Sequence, residues 1–186
     1  MRNIFLLLLL AMLPVSIVSA QEINGYKERR FGDDITNFKC AKIKGKRFYD
    51  IFFYKEILPY EYRGKTPAGE HVFKDIERCS SSIESELQIN GSKVNVQYLF
   101  YKNKLVEVFI SSFERSDFTK IIAAFTAKYG ERHDTSRSGI YSWSDKMNNY
   151  IYIEISDDYR KITIQIVGKG YDQIYKDYKL HISKDL

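Results

Sequence analysis

The chain has 186 residues, with 29 Lys and Arg against 24 Asp and Glu and a formal charge of +5. The charges are interspersed rather than gathered into a block of roughly five or six of one sign, which argues for a solvated mixed-charge surface and against a nucleic-acid partner. Fifteen Tyr and 12 Phe against 3 Pro favour a sheet-rich folded chain over a disordered one.

Residues 1–20 read as a secretory leader. Arg2 supplies the positive start, residues 4–13 the apolar core, and Val18-Ser19-Ala20 the small-residue cleavage site. The apolar run is short for a membrane span, so cleavage before Gln21 is expected. The product is then a periplasmic or extracellular protein with no transmembrane span. Residues 21–186 are expected to form a single α+β domain. Lipoprotein processing is not expected, because Gln21 rather than Cys follows the site.

Cys40 and Cys79 are the two cysteines. In an exported chain they are most simply one disulfide. It closes a loop worth roughly 3–4 kcal/mol in the chain-entropy model.

In chain order, Asp33 is placed to cap a short helix carrying Ile35 and Phe38 towards Cys40. Residues 48–53 read as a strand apolar on nearly both sides. Pro59, Gly64, Pro67 and Gly69 mark residues 57–70 as a loop, with Tyr60, Tyr62 and Arg63 in it. Val72, Ile76, Cys79 and Ile83 fit a helical stripe, weakened by Ser80-Ser81-Ser82. Residues 87–89 are a short strand ahead of the hairpin turn Asn90-Gly91, which also accounts for the Asn90-Gly91-Ser92 sequon.

Val94, Val96, Tyr98 and Phe100 then alternate along one strand, and Val106, Val108 and Ile110 along the next, around a Lys102-Asn103-Lys104 break. Ser116 caps a helix whose stripe is Phe118, Ile121, Ile122, Phe125 and Tyr129, closed by Gly130. Residues 131–138 are polar and exposed. Three strands follow, at 140–144, 150–155 and 162–167, with Trp143 and the Ile residues facing inward. Tyr171, Ile174, Tyr175 and Tyr178 give a final helix. The sum is an antiparallel sheet with helices packed on one face, in the C-terminal order β-β-α-β-β-β-α.

Leu87-Gln88-Ile89-Asn90-Gly91, then Val96 to Val108 with its Tyr98-Leu99-Phe100-Tyr101 core, Lys128-Tyr129-Gly130, and Tyr141-Ser142-Trp143-Ser144 together form a signature. It resembles that of a loose class of exported bacterial proteins of unknown function. The resemblance covers about half of residues 21–186 and consists mainly of core and turn positions. It implies a fold and an envelope location, and it brings no catalytic residue with it.

His71, His133 and His181 stand in no metal-binding spacing. No nucleophile elbow, phosphate loop or dinucleotide fingerprint is present. No metal and no cofactor is therefore expected. The leading expectation is a non-enzymatic protein- or cell-wall-binding domain. Its candidate surface is Tyr60, Tyr62, Arg63, Tyr152, His133 and Arg137, because Tyr is favoured where one end is apolar and the other wet. Two alternatives stand beside it. One is a small hydrolase or ligand-binding enzyme using His133 or His71 with nearby carboxylates. The other is a structural module stapled by its disulfide.

Overall fold

The computed structural model describes residues 21–43, 74–113, 115–134, 140–155 and 162–182. The leader, the 48–53 strand, the 57–70 loop with Tyr60, Tyr62 and Arg63, His71 and Arg137 lie outside them.

A first hairpin pairs β1 (Gly25–Tyr26) with β2 (Arg29–Arg30). β3 (Cys40–Lys42) and β4 (Ile76–Ser81) follow, then a second small hairpin, β5 (Gln88–Ile89) and β6 (Ser92–Lys93). β7 (Asn95–Tyr101) and β8 (Lys104–Phe113) form the central pair, followed by α1 (Phe118–Tyr129). β9 (His133–Asp134), β10 (Ile140–Ser144), β11 (Tyr150–Ile155), β12 (Ile162–Val167) and α2 (Tyr171–Ile182) complete the order.

Among the described residues one sheet holds eight strands in the order β3-β4-β7-β8-β12-β11-β10-β9. Every pairing in it is antiparallel. The fold is thus α+β. The turn between β7 and β8 places Lys102 and Asn103 at φ 49° and 64°, the left-handed pair that a two-residue hairpin requires. Asn90 and Gly91 do the same between β5 and β6, at φ 48° and 83°.

The alternation along β7 sorts the sheet into two faces. Val96, Tyr98 and Phe100 join Cys79, Val108, Ile110, Trp143, Ile151, Ile153, Ile162, Ile164 and Ile166 in one core. The α1 stripe of Ile121, Ile122 and Phe125 buries in that core. A bulge opposite Leu99 and Phe100 lets Leu105 share the core face with Val108.

Leu99 and Tyr101 point to the opposite face. There the Tyr101 hydroxyl donates to Asp177 of α2 at 2.5 Å. Gly170, at the start of that helix, lies close enough to Val106 that an added Cβ would sit 3.2 Å from its Cγ1. The two helices therefore lie on opposite faces of the sheet, not on one as the hydrophobic pattern suggests. Each helix has a single apolar stripe, and the sheet offers an apolar patch on both sides. The C-terminal order also gains β9, so four strands rather than three separate the helices.

Three local expectations change. The stretch around Cys79 is strand β4, not a helix, because it pairs with β7 from Ile76 to Ser80. Asp34 rather than Asp33 caps the short 3-10 turn Ile35–Asn37, accepting from the Thr36 N–H, while Asp33 accepts from the Arg30 N–H. Asp117 rather than Ser116 occupies the N-cap of α1, after a 3-10 turn at Arg115–Asp117. The Asp117 carboxylate is instead used by the Ser92 hydroxyl at 2.7 Å.

Candidate binding face

Strand register assembles a line of side chains that no local stretch contains. Ser80 pairs with Gln97, Gln97 with Phe109, Phe109 with Gln165, Gln165 with Tyr152, Tyr152 with Ser142, and Ser142 with His133. Directly paired residues in an antiparallel sheet point to the same side. The line therefore crosses seven strands on the face opposite the α1 core. Ser80, Gln97, Phe109, Tyr152 and Ser142 are half-exposed, His133 is exposed, and Gln165 is buried.

A parallel row runs Asn95, Ser111, Thr163, Glu154 and Ile140. The row on the other side is Arg78, Leu99, Glu107, Val167, Tyr150 and Ser144. Its central members are buried. The Tyr150 and Tyr152 rings stack at 6.0 Å and 28° along β11. This face combines hydroxyls, amides and aromatic surface, a composition suited to recognising a polar partner.

Of the six surface residues expected from the sequence, Tyr152 and His133 fall in the described part, and register brings both into this line, with Ser142 between them. The Ser142 hydroxyl donates to the His133 carbonyl at 3.0 Å. Cys40 and Cys79 are joined, with Cα atoms 5.5 Å apart.

A second polar centre lies beside that disulfide, and the linear sequence gives no sign of it. Glu86 is the last residue of the 3-10 turn Glu84–Glu86 and is buried. Its carboxylate accepts from the Ser81 hydroxyl, from Tyr98 at 2.6 Å and from the Arg29 Nε at 2.7 Å. The Tyr26 hydroxyl reaches its backbone carbonyl at 3.0 Å. Arg29 also stacks over Phe38 at 4.7 Å. Burial pushes the Glu86 carboxyl up, but the bonds from Ser81, Tyr98 and Arg29 outweigh it and hold the group below its ordinary range. Burial, followed by hydrogen bonding to Glu86, drives the Tyr98 hydroxyl well above the usual phenol range. A carboxylate so fully engaged is a structural clasp between the first hairpin, β4 and β7 rather than a proton carrier.

Glu107 behaves differently. It is buried in the sheet, and among the described residues neither carboxylate oxygen has a hydrogen-bond partner. The Gln165 Nε2 is likewise unpartnered. Burial raises the Glu107 carboxyl to about 7, against a smaller opposing pull from Arg78.

On the α1 side there is a groove of about 320 Å³. It lies between β1, the β5–β6 turn and the last two turns of α1. Its described lining contains no His and no carboxylate. Among the described residues no group of three or more His, Cys, Asp and Glu gathers in metal-binding geometry. No helix there is long and apolar enough to cross a membrane. Comparison with family models, curated proteins and solved structures finds no match to this chain.

Proposed function

We propose that the chain is an exported envelope or secreted domain that binds a protein or cell-wall partner through the Ser80-to-His133 face and performs no chemistry of its own. The observation that carries this reading is the cross-strand line of half-exposed polar and aromatic side chains, interrupted by buried Gln165 and ending at exposed His133. Such residues supply rigid contact area together with hydrogen bonds. The leader-like residues 1–20 and the resemblance to exported proteins supply the compartment.

The test is site-specific photo-crosslinking in the native envelope. A crosslinking phenylalanine analogue at position 152 or 97 should give one discrete adduct. The same analogue at Lys120, exposed on α1, should give none. Equal adducts from all three positions would remove the face from the account.

A structural role is the second reading, favoured by the Cys40–Cys79 disulfide and the Glu86 clasp beside it. Under that reading, loss of the protein would weaken an assembly without any partner being held by the sheet face.

A further inference from the structure

The groove on the α1 side is independent of the face just described. Its floor is apolar: Ile166 and Phe125 are buried, and Ile89 and Ala124 flank them. Two ammonium groups stand at its rim. Lys27 comes from the left-handed turn of the first hairpin, at φ 52°. Its Nζ donates to the carbonyls of Ser85 and Gln88, the latter at 2.8 Å. Lys128 comes from the last turn of α1 and lies 4.9 Å above the Tyr129 ring.

Lys27 is thus no freely waving surface lysine. Two carbonyls fix its position and leave the third N–H for a further acceptor. Among the described residues neither Lys forms an ion pair. Partial burial also lowers the Lys27 amine against a smaller upward pull from Glu86, as expected of an ammonium short of counter-charge. The carbonyl end of a helix disfavours anions. Here those carbonyls are partly neutralised: Thr126 accepts from Gly130, Lys128 from the Gln21 N–H and Gly130 from the Trp143 indole.

We propose that this groove binds a small amphiphilic carboxylate, its acyl or aryl body on Phe125 and Ile166 and its carboxylate between Lys27 and Lys128. The volume falls at the small end of ligand sites, which run roughly 300 to 1,000 Å³. An apolar floor with a few fixed polar groups is the usual construction of such sites. A charge-assisted pair with a held ammonium supplies the discrimination between anion and neutral body.

Titration of the purified protein with octanoate, octanamide and acetate, followed by two-dimensional NMR, tests this. Octanoate should shift the signals of Lys27, Ile89, Phe125 and Lys128 with saturation. Octanamide, with the same body but no charge, should bind at least about tenfold more weakly. Acetate, with the charge but no body, should fail to saturate. Lys27→Met should lose the preference for octanoate. Ala124→Glu, at a half-exposed position of α1 on the groove wall, should abolish binding while the rest of the spectrum stays in place. Equal affinity for octanoate and octanamide, or shifts centred elsewhere, would overturn the proposal. So would binding to phosphatidylglycerol vesicles without binding to free octanoate.

Discussion

Glu107 on β8 pairs directly with Val167 on β12, so a carboxyl group faces an aliphatic side chain in the interior of an eight-stranded sheet. Gln165 lies two positions from Val167 on the same strand and face, and among the described residues neither the Glu107 carboxylate nor the Gln165 Nε2 finds a hydrogen-bond partner. Burial holds the Glu107 carboxyl at about 7, from an ordinary value of 4.5.

That pair sets a pH dependence. A carboxyl whose folded value lies above its unfolded value keeps its proton longer in the native state. Stability therefore falls as pH rises from about 4.5 to about 7 and stays at the lower level above that. The span corresponds to roughly 3 kcal/mol. Glu107→Leu should remove this slope and be the more stable protein at pH 8, as read by urea unfolding at several pH values. Parallel pH profiles for the two proteins would contradict it.

The Glu86 clasp makes the opposite prediction. Its carboxyl is held below the ordinary range, so its contribution is present at neutral pH and is lost as acid protonates it in the folded state. Glu86→Gln leaves the Arg29 guanidinium, 18% exposed, without its counter-charge. The expected loss is roughly 3–5 kcal/mol, the range for breaking a buried pair from one side. Tyr98→Phe removes one hydrogen bond to a charged acceptor and should cost roughly 1.5–3 kcal/mol. Denaturant melts at pH 7 distinguish the two, and equal small losses would show that the clasp is not a unit.

The disulfide spans 39 positions and ties β3 to β4 across their paired edge. Replacing both cysteines with Ala should lower stability by roughly 3–4 kcal/mol, mainly by freeing the unfolded chain. Non-reducing mass spectrometry of the protein from its native source should show the Cys40–Cys79 link, and two free thiols would remove this contribution.

Asp177 anchors α2 to the sheet. It accepts from Tyr101 at 2.5 Å, Lys102 at 2.6 Å and Gln173 at 2.7 Å. The Lys102 and Tyr101 bonds hold its carboxyl at about 2. The docking contribution should therefore be lost only as pH falls from about 4 towards 2. Asp177→Asn should cost about 1 kcal/mol and speed amide exchange in α2 before it affects β7 or β8. Unchanged exchange in α2 would show that Tyr171 and Ile174 hold the helix alone.

Alternation, together with Gly130 at the end of α1, carries most of the C-terminal half. The β7–β8 hairpin, α1 with its stripe, the three long strands after it and buried Trp143 are all legible, because each announces itself within a dozen residues. β4 is not. Ile76, Arg78 and Ser80 lie on one face and Glu77, Cys79 and Ser81 on the other, so neither side is uniformly apolar. The chance helical spacing of Ile76, Cys79 and Ile83 prevails instead. Pairing with β7 on one side and β3 on the other makes the segment a strand.

The opposite placement of the helices is equally hidden, since a stripe does not say which side of a sheet it will meet. Tyr152 and His133 stand out in the sequence only one by one; that they share a cross-strand line does not. That line depends on register across seven strands. Glu86 was invisible for the same reason, as Arg29 lies 57 positions away and Tyr98 lies 12.

The decisive measurement is quantitative affinity capture of the tagged protein from its native cells, comparing the wild-type chain with Phe109→Ala/Tyr152→Ala. Circular dichroism should first show that both proteins share one fold. The account predicts one partner held by the wild-type chain and reduced at least about tenfold by the double variant, the loss of two aromatic contacts. Capture of the same partner in equal yield by both proteins would contradict it.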